Sequence, residues 1–196
     1  ADWFRSSGLK LDERGYVTVD GYGRTNLDGV WALGDITPGH ALAHRAFEQG
    51  ITIAEKIAGA DPKPVIDDTV PQVVFSFPEA ASVGLTLDQA KAREDVVEPK
   101  ETAYPMLSNA RMLMSGEGGS MTVVSGAFAN NPDMQVVLGV HIVSPIASDL
   151  IAEAEQLVGN RVPLADAARL IHPHPTFSET LGEALLKADG RPLHTR

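Results

Sequence analysis

Apolar residues fall into two rhythms along the chain, and the change between them is the first guide to its organisation. Residues 15 to 35 alternate like short strands broken by turns: Tyr16-Val17-Thr18-Val19, the turn Gly21-Tyr22-Gly23, then Val30-Trp31-Ala32-Leu33 ending at Gly34-Asp35. From about Ala41 to Ala58 the period lengthens to that of a helix. Leu42, Ala46, Gly50, Ile53 and Ile57 form its apolar stripe, while His44, Arg45, Glu48, Glu55 and Lys56 fall largely elsewhere. Gly59 supplies a helix stop. Residues 59 to 71, with three prolines and three aspartates, read as a linker.

Beyond the linker the short period returns. Gln72 to Ser76 reads as a strand, and Thr86 to about Arg93 as a helix opened by the capping box Thr86-x-x-Gln89. Two longer strand candidates, Ser120 to Ala129 and Met134 to Val143, flank the turn Asn130-Asn131-Pro132-Asp133 and predict a hairpin. Three helical segments close the chain, from Pro145 to about Val158, Pro163 to Ile171, and Thr176 to about Lys187. Strands gathered first and helices last predict an α+β domain with an antiparallel sheet.

Composition narrows the classes. A chain of 196 residues with 43% hydrophobic content can bury a core as one large domain or two small ones. No stretch approaches the roughly 20 apolar residues that span a bilayer, and no secretory leader is expected at Ala1-Asp2-Trp3-Phe4-Arg5. A net charge of -10 argues against nucleic-acid binding, which needs clustered Lys and Arg. Zero cysteines leave no disulfide framework, no thiolate metal site and no cysteine nucleophile in these residues. A cytoplasmic location is expected.

Candidate chemistry concentrates in His172-Pro173-His174-Pro175-Thr176-Phe177-Ser178-Glu179. Each proline holds the preceding histidine in extended conformations. A histidine just ahead of a helix, with a carboxylate in the first turn able to fold back on it, makes an oriented acid/base. Other readings stay open on these residues alone. Thr176-x-x-Glu179 also fits a capping box in which Glu179 serves the backbone. The His-x-His pair is a weak metal motif, since no third ligand lies nearby in sequence and no metal site is expected. A plain structural turn is the third.

From Leu11 onward the chain resembles the C-terminal part of the flavoprotein disulfide reductases, and is most similar to the dihydrolipoamide dehydrogenase group. The resemblance rests on a series of short segments in the right order. Residues 12 to 20, Arg24-Thr25 and 29 to 35 look like the family's second flavin-contacting segment. Leu42-Ala43-His44-Arg45-Ala46, with Glu48 and Gly50, looks like the helix start beneath the flavin. Pro71 to Phe75 and Pro78 to Gly84 resemble the opening of the dimerisation domain. Ser108-Asn109-Ala110-Arg111, Leu138 to Ile142 and the closing His-Pro-Thr-x-Ser-Glu complete the set.

The resemblance implies residues 1 to 65 as the C-terminal segment of an FAD-binding Rossmann-like domain, and 66 to 196 as a dimerisation domain with an antiparallel sheet and helices on one side. It implies flavin contacts from Asp35, Leu42, Ala43 and His44, with Asn109 and Arg111 near the site. It implies that His174 handles thiol protons and that Glu179 orients it, His172 being a spacer. Imidazole and thiol ionise near 6.5 and 8.5, about two units apart, which suits such a transfer.

The implied cofactors are FAD and NAD. The implied partners are a second copy in a homodimer and the dihydrolipoyl group of a 2-oxo acid dehydrogenase complex. The Gly-rich dinucleotide fingerprint, the Cys-x4-Cys redox pair and the NAD domain of a complete member are absent from these residues. The chain is therefore expected to be a fragment, inactive in isolation, with apolar surface exposed on its first 60 residues. A glutathione or mycothiol reductase and a soluble transhydrogenase are the alternatives within the family. A non-catalytic dimerisation module is the alternative outside it.

Overall fold

The computed structural model describes residues 6–195; the segment read for a leader, residues 1 to 5, lies outside them. The chain divides between Val70 and Pro71 into two compact units. In the first, the expected strands shrink to isolated bridges, Leu11 with Val17 and Arg24 with Trp31. Turns closed by Asp12 and Asp20 explain the shortening. Each aspartate accepts amides two and four residues on, so the backbone folds back before a ladder can extend. Val17 and Ala32 form a small buried nucleus with Leu9, Leu11 and Val19 against it.

Helix α1 spans Ala43–Ile57 with Leu42 at its N-cap. Its end is fixed by Gly59 at φ 86°, where the Gly59 amide donates to Lys56 and the Ala60 amide to Glu55. This is a Schellman closure, and the left-handed residue it requires is the predicted glycine. The buried face differs from the expected stripe: Arg45, Thr52 and Ile53 point inward, whereas Ile57, Phe47 and Ile51 are exposed. Arg45 tolerates burial because its Nε donates to Asp67 at 2.6 Å and its Nη2 to the Pro38 carbonyl at 2.7 Å.

The second unit is an α+β layer built on a five-stranded antiparallel sheet in the order β1-β2-β5-β4-β3. The strands are β1 Gln72–Val74, β2 Glu79–Gly84, β3 Val96–Pro105, β4 Ser120–Phe128 and β5 Asn131–Ser144. Val83, Val140 and Val123 align across three strands and are buried, as alternation demands. They share one cluster with Leu150, Ile151, Ala154 and Leu157 of α4 (Ala147–Gly159) and with Leu181, Ala184 and Leu185 of α6 (Glu179–Ala188). A second cluster joins Val124 of β4 with Val136 and Leu138 of β5, beside the register shift at Val124–Ser125, and packs them with Ala90 of α2 (Leu87–Ala92). The α2 capping box forms as predicted.

Three expected boundaries move. The hairpin turn is Ala129-Asn130, with Phe128 opposite Asn131, so Asn131 and Pro132 belong to β5. Pro132 is tolerated there because the pairing is irregular between Gly126 and Phe128, which removes the demand for its amide. The segment expected as a helix from Pro163 to Ile171 contains only α5, Leu164–Ala167, and tightens into bonds from Arg169 to Asp166 and Leu170 to Ala167. Helix α6 begins at Glu179, not at Thr176, because Thr176 and Phe177 remain in the loop that carries His174. The short α3, Ala110–Ser115, was not anticipated and lies beside that loop.

Candidate functional site

The loop between α5 and α6 brings His174 and Glu179 together. Nδ1 of His174 lies 2.8 Å from Oε1 of Glu179, and the other carboxylate oxygen accepts the Thr176 amide at 2.7 Å. The two readings set against each other in the sequence are both satisfied, because one carboxylate has two oxygens. Glu179 closes half a capping box and holds the imidazole at the same time. Thr176 does not complete the box: its hydroxyl donates to the Pro173 carbonyl and meets Ser178.

Exposure divides the pair by task. The His174 side chain is 68% exposed and that of Glu179 20%, so the ring reaches solvent while its orienting group sits behind it. Burial, the largest influence on Glu179, pushes its ionisation upward. The Thr176 amide and the His174 ring outweigh it, and the carboxyl ionises below its usual range. An ionised carboxylate can only accept, so Nδ1 of His174 must be its protonated nitrogen. The lone pair of the neutral ring is then on Nε2, ready to take a proton from a bound acid.

Asn109 and Arg111 grip the same loop. Asn109 is buried, caps α3 by accepting the Met112 amide at 3.1 Å, and donates its Nδ2 to the Thr176 carbonyl at 3.2 Å. Both peptide groups of Thr176 that face inward are thereby fixed, one by Asn109 and one by Glu179. The Arg111 guanidinium lies 5.3 Å from the Phe177 ring centre. These contacts account for the short helix: its N-terminus is placed to hold the loop.

His172 is no spacer. Its Nε2 meets Oε1 of Glu153 on α4 at 2.8 Å, and its ring fills the space that a side chain at Gly182 would occupy. The hydrogen bond to Glu153 raises its ionisation above the ordinary imidazole value, against an opposing contribution from burial. His172 thus pins the loop to two helices, leaving His174 the outward position.

In the first unit Asp35 is exposed on the turn Gly34–Ile36, and Leu42, Ala43 and His44 form the opening of α1. Its N-cap residue, Leu42, makes no side-chain cap hydrogen bond. An uncapped start of a fifteen-residue helix favours negative charge, and an exposed carboxylate just ahead of it can accept hydroxyl donors.

Two family models match the sequence. Residues 70–185, more than half of the chain, match the pyridine nucleotide-disulphide oxidoreductase dimerisation domain. The chain belongs to the pyridine nucleotide-disulphide oxidoreductases. Residues 1–50 match the family's further model, described simply as pyridine nucleotide-disulphide oxidoreductase. The chain is 41% identical over 189 residues to a dihydrolipoyl dehydrogenase of Cupriavidus necator, covering 95% of this chain and 38% of that protein. Against a dihydrolipoyl dehydrogenase of Bacillus subtilis it is 38% identical, covering 94% of this chain and again 38% of the relative. The structure of LpdA from Mycobacterium tuberculosis superposes with a TM-score of 0.82 at 31% identity, over 92% of this chain and 38% of that one. The chain thus spans less than half the length of these relatives.

Proposed function

We propose that this chain is the C-terminal part of an FAD-containing, NAD-dependent dihydrolipoamide dehydrogenase, in which His174 is the acid/base for the dihydrolipoyl thiols and Glu179 its positioning residue. The observation that carries this reading is the 2.8 Å contact of Nδ1 with a carboxylate whose second oxygen is already anchored. Asp35 and the uncapped start of α1 at Leu42, Ala43 and His44 fit a flavin, the carboxylate toward its hydroxyl chain and the helix amides toward its ring. When bound, FAD supplies two-electron transfer. NAD, and the disulfide that meets the dithiol, belong on this reading to parts of the protein beyond these residues, so the chain by itself is inactive.

What these residues do is bind and move a proton. The thiol S–H bond breaks, the proton passes to Nε2 of His174, and the electron pair stays on sulfur as thiolate. Glu179 stabilises the resulting imidazolium and keeps the ring from turning. A second copy of the chain forms a two-fold dimer, the use its dimerisation domain's description implies. The natural substrate is the dihydrolipoyl group of a 2-oxo acid dehydrogenase complex, and the setting is cytoplasmic.

The test is dihydrolipoamide oxidation by the full-length protein. H174Q is expected to slow turnover by about two orders of magnitude, the usual cost of losing a general acid/base. Unchanged turnover would remove the assignment.

A further inference from the structure

Helix α6 repeats its device one turn later. Glu183, four residues beyond Glu179 and so on the same helix face, accepts Nδ1 of His194 at 2.8 Å and the backbone amide of His194 at 3.2 Å. Each carboxylate grips one imidazole and one main-chain N–H. Exposure is divided in the same way: the His194 side chain is 62% exposed and Glu183 only 10%. His174, Glu179, Glu183 and His194 all line one cleft of about 140 Å³, together with Asn109 and Leu113. We propose that His194, held by Glu183, is a second proton-accepting imidazole of this cleft, serving the same dithiol as His174.

The inference rests on the dithiol reading of the site and deepens it. Closing a dithiol to a cyclic disulfide breaks two S–H bonds and forms one S–S bond. The two electrons pass to a redox disulfide of the enzyme, which opens to two thiolates, and two protons are left to be taken up. One neutral imidazole holds one of them. A second ring in the same cleft, with its Nδ1 proton committed to a carboxylate, presents Nε2 as the acceptor for the other.

The surroundings agree with two working carboxylates. The fully buried Tyr104 lies within electrostatic reach of both carboxylates, and its hydroxyl has no hydrogen-bond partner among the described residues. Its ionisation is pushed up to about 12, first by burial and then by Glu183 and Glu179 together. The phenol therefore stays neutral and takes no proton from either pair.

The experiment compares H174G and H194G in the full-length protein with dihydrolipoamide as substrate, with and without added free imidazole. H194G is expected to lower kcat about tenfold, less than loss of a sole acid/base group, with a larger solvent deuterium isotope effect and recovery on adding imidazole. Recovery separates a chemical role from mere anchoring of the tail, since free imidazole cannot re-tie residues 189 to 195. A loss without recovery, or unchanged kcat and isotope effect, would overturn the proposal and leave His174 standing. Unchanged turnover in H174G would instead defeat the reading on which the proposal is built.

Discussion

The two units solve the problem of burial in opposite ways. Beyond Pro71 the sheet and its helices close a core of their own: Tyr104, Met106, Met112, Met121, Ile142, Leu181 and Leu185 are fully buried. Up to Val70 the closed apolar nucleus among the described residues is Val17 with Ala32, and the helix turns Arg45 inward while leaving Phe47 71% and Ile51 52% exposed. The difference teaches where each unit draws its stability. The second depends on area removed from water within itself. The first is held by polar ties, Arg45 to Asp67 and Gln49 to the Gly34 amide, and keeps apolar surface available for covering. The expectation of exposed apolar surface on the first 60 residues is met at Phe47 and Ile51, and also at Ile57, Val30 and Ile36.

The largest test of this contrast is a paired truncation. Ile142→Ala, on the central strand β5, should cost about 2–5 kcal/mol in urea unfolding followed by circular dichroism, the range for emptying a packed core position. Phe47→Ala should change stability by less than about 0.5 kcal/mol in the same chain, despite removing the larger side chain. Comparable losses at the two positions would erase the distinction.

The legibility of the sequence follows the same physics. Features set by local chemistry were readable: the α1 stop at Gly59, the α2 capping box, and the approach of Glu179 to His174 over five residues. Strand β3 was not readable. Its ten residues include Glu98, Pro99, Lys100, Glu101 and Pro105 and show no clean alternation. It survives because it is an edge strand whose register slips between Val97 and Lys100, so the prolines owe no ladder bonds. Strand β2 was legible only as a motif, because Ala80, Ala81 and Ser82 carry little strand signal. His194 stands beyond α6 with no motif around it; the Asp189-Gly190 turn, with Gly190 at φ 78°, folds the chain back and is its one local signal. The Asn109 contact spans 67 residues, and no local pattern reveals such a distance.

A second, smaller test concerns how the loop is pinned. Gly182 lies inside α6, where alanine ordinarily gains about 1 kcal/mol over glycine. Here a Cβ would stand 2.5 Å from Nδ1 of His172, whose other nitrogen is held by Glu153. The ring cannot retreat without losing that bond, so G182A should destabilise by about 1–2 kcal/mol, the cost of overpacking. In an H172A background the same substitution should become stabilising, by up to about 1 kcal/mol. A double-mutant cycle on thermal unfolding reads the change of sign, and equal effects in both backgrounds would show that the helix, not the ring, sets the cost.

The smallest expected effect is a dependence on pH confined to this same pin. His172 ionises above its unfolded value, chiefly because Glu153 hydrogen-bonds its ring. Between the unfolded value, about 6.5, and the higher folded one, the folded state holds more protons than the unfolded chain. Stability from this pair is therefore complete below about pH 6.5 and declines as pH rises through the folded value. H172Q should remove that part of the slope while the exposed patch around Phe47 contributes none of it. Urea midpoints measured for the wild type and H172Q across this range should converge as pH increases. Parallel curves would mean that the ring is held by packing against Gly182 alone, and that the charge on Glu153 takes no part in fixing the loop that presents His174.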